Sequence, residues 1–213
     1  MVWSIAGVKS MAFYSDVILP RLCDLATRNR QLRPYRERVI GAADGRVLEI
    51  GIGSGRNLPF YRPQVTELLA LEPSPQLTAM ARHAGRPDIP VNFVEASAEA
   101  IPLDDRSVDT VVTTWTLCSI PDAAMALTEM RRVLRPSGKL LFVEHGMAPD
   151  RNVRRWQDWL TPAWKRISGG CHLNRPISAM IESAGFRIER VETGYMPGPK
   201  AMTFMYEGSA WPN

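Results

Sequence analysis

One acid and three glycines stand at alternate positions where a strand-like run, residues 46–50, ends. They are Glu49, Gly51, Gly53 and Gly55. Glycine adopts backbone conformations that a Cβ forbids, and it lets a ligand approach the main chain within van der Waals distance. These residues therefore predict a binding loop in which a ligand lies against bare backbone.

Two kinds of nucleotide ligand compete for such a loop. A dinucleotide fingerprint needs G-x-G-x-x-G with a pyrophosphate at the helix N-terminus, but Arg56 follows Gly55 here and Glu49 precedes the first glycine. A carboxylate at that place repels phosphate and attracts an ammonium group. The pattern therefore favours S-adenosylmethionine, a cationic adenosine without phosphate, with a purely structural turn as the alternative.

A second acid and a polar turn follow the next two predicted strands. Glu72 ends the second strand, about 17 residues past Gly55, where a carboxylate can accept from both ribose hydroxyls. The turn of residues 97–99 follows the third strand. Together these three strand ends strengthen the prediction of a nucleoside site.

Few residues at the strand ends are suited to acid–base chemistry. His145, after the fifth strand, is the best general-base candidate by residue type, with a structural histidine as the alternative. Trp115 and Cys118 follow the fourth strand, and Cys118 is expected to fill a small buried space. Positioning supplies much of the catalysis in methyl transfer from a sulfonium, and a thiol acceptor needs little help from a base.

Alternating apolar runs and helical patterns position these residues. Such alternation is typical of a parallel sheet covered by helices, in which the ligand crevice lies beyond the carboxyl ends of the strands. Helices are predicted over 75–84 and 122–134, followed by a turn at 135–138. The predicted strands are 46–50, 67–72, 91–96, 108–114 and 139–145.

The last third of the chain has a different pattern. Residues 151–167 are predicted as a helix that breaks near Pro162, 177–186 as a helix that ends at Gly185, and the rest as a closing β-hairpin. Trp156 and Trp159, three positions apart, are expected in the core or along an apolar acceptor pocket. One domain over 46–213, preceded by a helical extension or lid over 1–45, accounts for the chain.

Composition and charge narrow the class of protein. The 213 residues are 45% hydrophobic and 23% charged, which is typical of an ordinary globular protein. Three cysteines without a C-x-x-C pair predict a reducing cytoplasm, no disulfide framework and no metal site. The net charge of +4 comes without a nucleic-acid motif, so a nucleic-acid partner is not favoured.

The N-terminal segment is apolar but too interrupted to cross a membrane. Lys9 and Asp16 break the run before the roughly 20 apolar residues that a span needs. We predict a helix with one apolar face that packs onto the domain. Peripheral membrane contact and a lid over the site are the alternatives.

The span from Arg46 to His145 resembles the class I S-adenosylmethionine-dependent methyltransferases, particularly the ubiquinone and menaquinone C-methyltransferases and bacterial phosphatidylethanolamine N-methyltransferases. The likeness rests on LEIGIGSG, LALEPS, EASAEAIPLDDRSVDTVVTTWTLCSIPD and MRRVLRPSGKLLFVEH. It implies a Rossmann-like α/β fold: a seven-stranded, mostly parallel sheet with helices on both faces and the last strand antiparallel. It also implies S-adenosylmethionine as cofactor and S-adenosylhomocysteine as product.

The same resemblance implies roles for individual residues. Glu49 and the glycines would hold the methionine portion, Glu72 the ribose, and residues 97–99 the adenine. Ser97 stands where the family usually has Asp. The implied cofactor-binding set is Glu49, Gly51, Gly53, Gly55, Asn57, Glu72, Pro73, Ser97, Ala98, Glu99, Thr114 and Leu117.

A shorter stretch, AWKRISGGCHLNRPISAMIESAGF, resembles the animal methyltransferase-like alkyl thiol methyltransferases. The matching residues are Trp164, Lys165, Gly170, Cys171 and Arg175. This likeness implies a small thiol or sulfide, such as hydrogen sulfide or methanethiol, as acceptor. The alternatives are a lipidic acceptor (phosphatidylethanolamine or a quinol) and a cofactor-binding module without catalysis. The catalytic candidates are His145, Trp115 and Cys171.

Overall fold

The structure is a computed structural model that describes residues 14–85 and 88–213. Seven strands form one sheet: β1 (Gly45–Ile50), β2 (Val65–Leu71), β3 (Val91–Val94), β4 (Val108–Thr114), β5 (Leu134–His145), β6 (Phe186–Tyr195) and β7 (Phe204–Pro212). Their order is β3-β2-β1-β4-β5-β7-β6. Strands β1 to β5 run parallel, and β7 is antiparallel to both of its neighbours. The predicted architecture with an antiparallel last strand is confirmed.

Helices connect and flank the strands. They are α1 (Leu19–Thr27), α2 (Arg33–Val39), α3 (Pro75–His83), α4 (Ala123–Val133), α5 (Arg151–Ile167), α6 (Ile177–Ser183) and α7 (Lys200–Thr203). Side-chain caps begin two of them: Ser74 Oγ accepts from Leu77 N, and Asp122 Oδ1 accepts from Met125 N. These caps satisfy amide groups that the first turn leaves unpaired, and they explain why the helices start where the sequence predicts.

Two predicted features, a turn and a helix break, are absent from the structure at the predicted places. Strand β5 begins at Leu134 because that residue pairs with Val108 before the register shifts, so the predicted turn at 135–138 lies within the strand. Helix α5 runs through Pro162 without a break. A proline removes one helical hydrogen bond, while the neighbouring Thr161 is buried and donates to the Gln157 carbonyl at 2.6 Å. The predicted break near Pro162 is therefore wrong.

Alternation along the strands divides the core between the two faces of the sheet. Leu48 and Ile50 pack on one face with α4 and α6, whereas Val47 packs on the other. Val39 and Ile40, from the predicted N-terminal extension, belong to this second cluster. The end of the extension is thus part of the domain core.

The predicted N-terminal helix falls mostly on residues 1–13, which lie outside the described residues. From Tyr14 a π-helical turn leads into α1, whose Leu22 and Leu25 are exposed. In the part of the chain that the structure describes, no helix is both long enough and apolar enough to cross a membrane.

Candidate functional site

The site lies where the sheet changes direction. The chain proceeds from β1 outward to β2 and β3, then returns to the other side of β1 and continues to β4 and β5. The loops after β1 and β4 therefore leave the sheet in opposite directions and open a crevice between them. The predicted binding loop, Trp115 and His145 lie at the ends of these strands or of their neighbours, and Cys171 lies on the loop after α5.

Gly53 is the glycine of the loop whose Cβ direction is open. Its φ is +55°. The nearest atom to a Cβ built there would be the Gly51 carbonyl oxygen, at 4.0 Å. A Cβ at Gly51 would lie 2.6 Å from the Thr116 side chain, and one at Gly55 would lie 3.0 Å from Ala81 Cα. The outer two glycines allow close packing within the protein, and Gly53 leaves space for a ligand.

Glu72 is joined to this loop. Its Oε2 accepts from the Gly53 backbone N–H at 3.0 Å, and its Oε1 accepts from Ser74 N at 3.1 Å. Burial raises the pKa of Glu72, and the two backbone N–H groups act in the opposite direction. The carboxylate is thus held at the end of β2 beside Gly53, where the ribose is expected.

Glu49 accepts hydrogen bonds from two side chains of the segment that follows the glycine loop. It is fully buried, Asn57 Nδ2 donates to its Oε1 at 2.6 Å, and Tyr61 donates to its Oε2 at 2.8 Å. Burial raises the pKa of Glu49 to about 7. The geometry makes Glu49 an anchor beneath the loop, and its implied contact with the methionine portion stays a prediction.

Asn57 carries this network onward. Its Nδ2 also donates to Thr114 Oγ1 at 2.8 Å, and its Oδ1 accepts from Arg36 Nε at 2.8 Å. The Arg36 guanidinium lies 5.0 Å from the centroid of the Trp115 ring and donates to the Thr27 carbonyl. The loop after β1, the end of β4 and the N-terminal helices are therefore fixed together.

Trp115 has a strained backbone. Its φ of +51° lies in the left-handed region, which costs a residue with a side chain about 1–2 kcal/mol. Its ring packs against the second core cluster and Arg36. The structure places Trp115 beside the network beneath the loop, and its catalytic role stays a prediction.

Asp24 anchors α1 to the glycine loop, a contact that no pattern in the sequence indicates. It is 5% exposed and accepts from Ser54 Oγ at 2.7 Å and from Arg56 Nε at 2.8 Å. Burial alone would raise the pKa of Asp24, but the hydrogen bonds from Ser54 and Arg56 outweigh it and lower the pKa. The described part of the predicted lid is held against the loop by a buried ionised group.

The polar side chains of the predicted adenine turn form hydrogen bonds with each other and with the start of α4. Ser97 Oγ donates to Glu99 Oε2 at 2.9 Å, and Glu99 Oε1 accepts from Asp122 N at 2.7 Å. Ala98 is buried against the core. The turn is therefore rigid, and the half-buried Ser97 and Glu99 are its polar groups.

Two other members of the implied cofactor-binding set differ in exposure. Pro73 is exposed beside Glu72, whereas the Leu117 side chain is fully buried in the core. A side chain without accessible surface does not face the crevice. The Leu117 side chain belongs to the core, and the prediction that this residue binds the cofactor stays a prediction.

Glu144 shapes the turn after β4. This fully buried carboxylate accepts at Oε1 from Thr113 Oγ1 at 2.8 Å, from Thr116 N at 3.1 Å and from Leu117 N at 3.2 Å. Burial raises the pKa of Glu144 to about 6. The turn that carries Cys118 is therefore fixed to the end of β5.

Cys118, His145 and Cys171 form a cluster beside this turn. His145 Nε2 lies 3.2 Å from Cys171 Sγ, and one ligand atom of each residue lies within 4.8 Å of the other two. Burial would lower the pKa of His145, but the hydrogen bond with Cys171 raises it overall. The hydrogen bond with Cys118, together with burial, raises the pKa of the Cys171 thiol. The structure thus brings two catalytic candidates together with the cysteine that the sequence assigned to packing.

Backbone contacts hold the cluster in place. His172 N donates to the Cys118 carbonyl at 2.8 Å, and the Arg175 guanidinium donates to the carbonyls of Leu117 and Pro121. The loop after α5 is therefore fixed to the turn after β4. Arg175 and Cys171 both belong to the segment whose sequence resembles the thiol methyltransferases.

Two tryptophans of α5 lie on the protein surface. Trp156 is 59% exposed and Trp159 70% exposed, and their rings meet edge to face with centroids 5.5 Å apart. The expectation that this pair lies in the core is wrong. Trp164 is half-buried.

Comparison with known proteins gives two kinds of relatives by sequence. Residues 48–142 match the protein family described as "Methyltransferase domain". Thiol S-methyltransferase TMT1B of Rattus norvegicus is 35% identical over 161 residues, 72% of this chain and 64% of that protein. The Homo sapiens protein of that name is 35% identical over 169 residues, which cover 76% of this chain and 68% of that protein. Demethylmenaquinone methyltransferase of Renibacterium salmoninarum is 34% identical over 118 residues, which cover 54% of this chain and 48% of that protein. The chain spans about two thirds of the TMT1B relatives.

Solved structures show the same architecture. A SAM-dependent methyltransferase from Thermotoga maritima superposes with a TM-score of 0.66 at 22% identity, covering 92% of this chain and 98% of that one. Likeness at this identity shows the fold. The sheet order and the helices on both faces are therefore shared with a structure of that description.

Proposed function

Because the chain belongs to the S-adenosylmethionine-dependent methyltransferases, we propose that it transfers the methyl group of this cofactor to a small thiol. The observation that carries the proposal is the cluster of Cys118, His145 and Cys171. It lies beyond the carboxyl ends of β4 and β5, beside the crevice that Gly53 and Glu72 border. Relatives named thiol S-methyltransferase support the choice of acceptor.

The cofactor is placed by the loop and by the acid at the end of β2. The open space at Gly53 receives the backbone-facing side of the cofactor, and Glu72 accepts from the ribose hydroxyls. The turn at 97–99 borders the adenine. This placement agrees with the geometry of open α/β sheets, where ligands bind at the point of strand-order reversal.

The acceptor sulfur lies on the other side of the crevice, beside His145 and Cys171. Its lone pair attacks the methyl carbon in line with the sulfonium, the new carbon–sulfur bond forms as the old one breaks, and S-adenosylhomocysteine leaves. The acceptor proton must depart because the thiolate is the reactive species. The nearby polar cluster is where this proton loss is assisted.

Methyl transfer from labelled cofactor tests the proposal. We expect label in the methylated product of hydrogen sulfide or methanethiol, and a large loss of that label in Cys171→Ala. Label that appears only in a quinol or in phosphatidylethanolamine, offered in the same panel, would contradict it. His83→Gln is the control, because His83 is exposed on α3 and lies outside the cluster.

A lipidic acceptor is the second candidate. Its specific support is the pair of exposed tryptophans on α5, accompanied by the exposed Arg151, Arg154 and Arg155, a combination that suits a membrane interface. The demethylmenaquinone methyltransferase relative agrees with this choice. Sedimentation with anionic vesicles tests it: the lipidic reading requires binding that Trp156→Ala/Trp159→Ala removes, and no sedimentation of the wild-type protein would exclude it.

A further inference from the structure

We propose that Cys118, His145 and Cys171 bind a zinc ion, and that the acceptor thiolate occupies the remaining position on the metal. The inference rests on the proposed thiol methylation and specifies how the acceptor sulfur is held. Among the described residues, these three form the group whose ligand atoms lie close enough together for one ion.

The distances suit a tetrahedral metal after small movements. Zinc lies about 2.3 Å from thiolate sulfur and about 2.0–2.1 Å from imidazole nitrogen, so two ligand atoms on one ion lie about 3.5–3.8 Å apart. The three ligand atoms are within 4.8 Å of one another, and His145 Nε2 is 3.2 Å from Cys171 Sγ. One pair is therefore slightly closer than a shared metal ion requires, and no pair exceeds the required separation by more than about 1 Å.

The supporting elements are already fixed without a metal. His145 ends a central strand, Glu144 fixes the turn that carries Cys118, and the amide of His172 ties the Cys171 loop to the Cys118 carbonyl. A site whose ligands stand on restrained elements needs little rearrangement to bind. Cys118 is 2% exposed and Cys171 9%, whereas His145 is half-buried and marks the more open side.

The donor set selects the kind of metal. Two thiolates and one imidazole are soft ligands that favour zinc over magnesium or calcium. Structural zinc sites have four protein ligands, whereas catalytic sites have three and an open position. The group here contains three. Nε2 of His145 faces Cys171 Sγ, whereas Nδ1 is buried with no hydrogen-bond partner among the described residues, so Nε2 is the nitrogen that would bind the metal.

The chemistry balances without any further reactant. Metal binding deprotonates Cys118 and Cys171 and releases two protons to solvent. The acceptor thiol releases its proton to solvent as its sulfur binds zinc, and that sulfur then forms a bond to the methyl carbon while the sulfonium bond breaks. When methanethiol is the acceptor, the product dimethyl sulfide is a neutral thioether and a weaker ligand than a thiolate. It dissociates and leaves the position open again.

Cobalt binding tests the site without any turnover. Chelator-treated full-length protein titrated with Co²⁺ alone should bind a single equivalent, with a thiolate-to-cobalt charge-transfer band and the intense visible bands of a tetrahedral ion. Cys118→Ser, Cys171→Ser and His145→Gln should each weaken cobalt binding at least tenfold. His83→Gln, exposed on α3 and outside the cluster, should bind as the wild type does.

The wild-type spectrum keeps the test decisive if a variant does not fold. Absence of the charge-transfer band in the wild type, or its persistence in the cluster variants, would overturn the metal site. Adding methanethiol to the cobalt protein should shift the visible bands, and unchanged bands would overturn the open position. Full thiol methylation by metal-free protein would overturn the inference and leave the proposed function standing. A cobalt site that binds the thiol, in a protein that never methylates it, would instead overturn the proposed function.

Discussion

The Gly53 backbone N–H lies 3.0 Å from Glu72 Oε2, so the tip of the loop after β1 is joined to the carboxylate at the end of β2. One atom pair thus links the residue with the open Cβ direction to the acid placed for the ribose. Because the carboxylate is 6% exposed and held by two amides, this half of the crevice is organised before the cofactor binds.

Gly53→Ala should lower cofactor affinity at least tenfold. The left-handed φ costs alanine about 1–2 kcal/mol, and the new Cβ enters space that the structure leaves open. Titration calorimetry with S-adenosylhomocysteine measures the loss. Gly85→Ala is the matched control, since Gly85 also has a positive φ and an open Cβ direction but lies beyond α3. Equal affinities of wild type and Gly53→Ala would refute the assignment of the loop.

Glu49 should make the protein less stable as pH rises from about 4.5 to about 7. Burial raises its folded-state pKa to about 7 from 4.5, so in that window the folded state keeps a proton that the unfolded state has lost. Each pKa unit corresponds to about 1.4 kcal/mol, which gives up to about 3 kcal/mol. Urea unfolding at a series of pH values should show that Glu49→Gln removes this decline.

Glu67→Gln is the control for that experiment. The hydrogen bond from Arg46 lowers the pKa of Glu67, so its contribution to stability is complete above pH 4.5 and is lost only below it. The difference between Glu67→Gln and the wild type should stay constant from pH 5 to 8. A Glu49→Gln curve parallel to the wild type would show that Glu49 is ionised throughout.

Asp24→Asn should loosen α1 from the glycine loop. It removes the charge that Arg56 and Arg28 pair with, and since both arginines are partly exposed we expect a cost of about 1 kcal/mol. Hydrogen exchange should quicken in residues 19–27, and cofactor affinity should fall. Glu37→Gln breaks the exposed pair with Arg33 and should change neither; slow exchange in Asp24→Asn would show that other contacts hold the helix.

Arg175→Gln should weaken acceptor binding more than cofactor binding. Its guanidinium holds the Cys171 loop to the carbonyls of Leu117 and Pro121, and without it the loop carries Cys171 away from His145. We expect KM for the thiol to rise about tenfold while the cofactor Kd stays constant. Arg131→Gln, which removes a similar bond to the Asn213 carbonyl, is the control; an unchanged KM in Arg175→Gln would separate this loop from the acceptor.

The sheet could be predicted because each strand is indicated by residues that are neighbours in the sequence. β1 and β4 are buried on both faces, so each appears as a short apolar run, and the glycines and Glu72 occupy fixed places at strand ends. The spacing of Trp156 and Trp159 shows that they share a helix face, but it does not say whether that face meets the core. The structure turns it outward.

The polar network and the cluster could not be predicted in this way. Asp24 meets Ser54 across 30 positions, and His145 meets Cys171 across 26. Such contacts depend on how α1 and the loop after α5 lie over the crevice, which periodicity does not determine. Glu49 shows the same limit. The sequence indicates its place before the glycines, but not the hydrogen bonds that Asn57 and Tyr61 donate to its carboxylate.

A crystal structure with S-adenosylhomocysteine tests the central claim most directly. We predict ribose hydroxyls bonded to Glu72, main chain of Gly53 against the ligand, and the thioether sulfur directed toward His145 and Cys171. A ligand bound elsewhere on the sheet, or one whose sulfur points away from those two residues, would contradict the account.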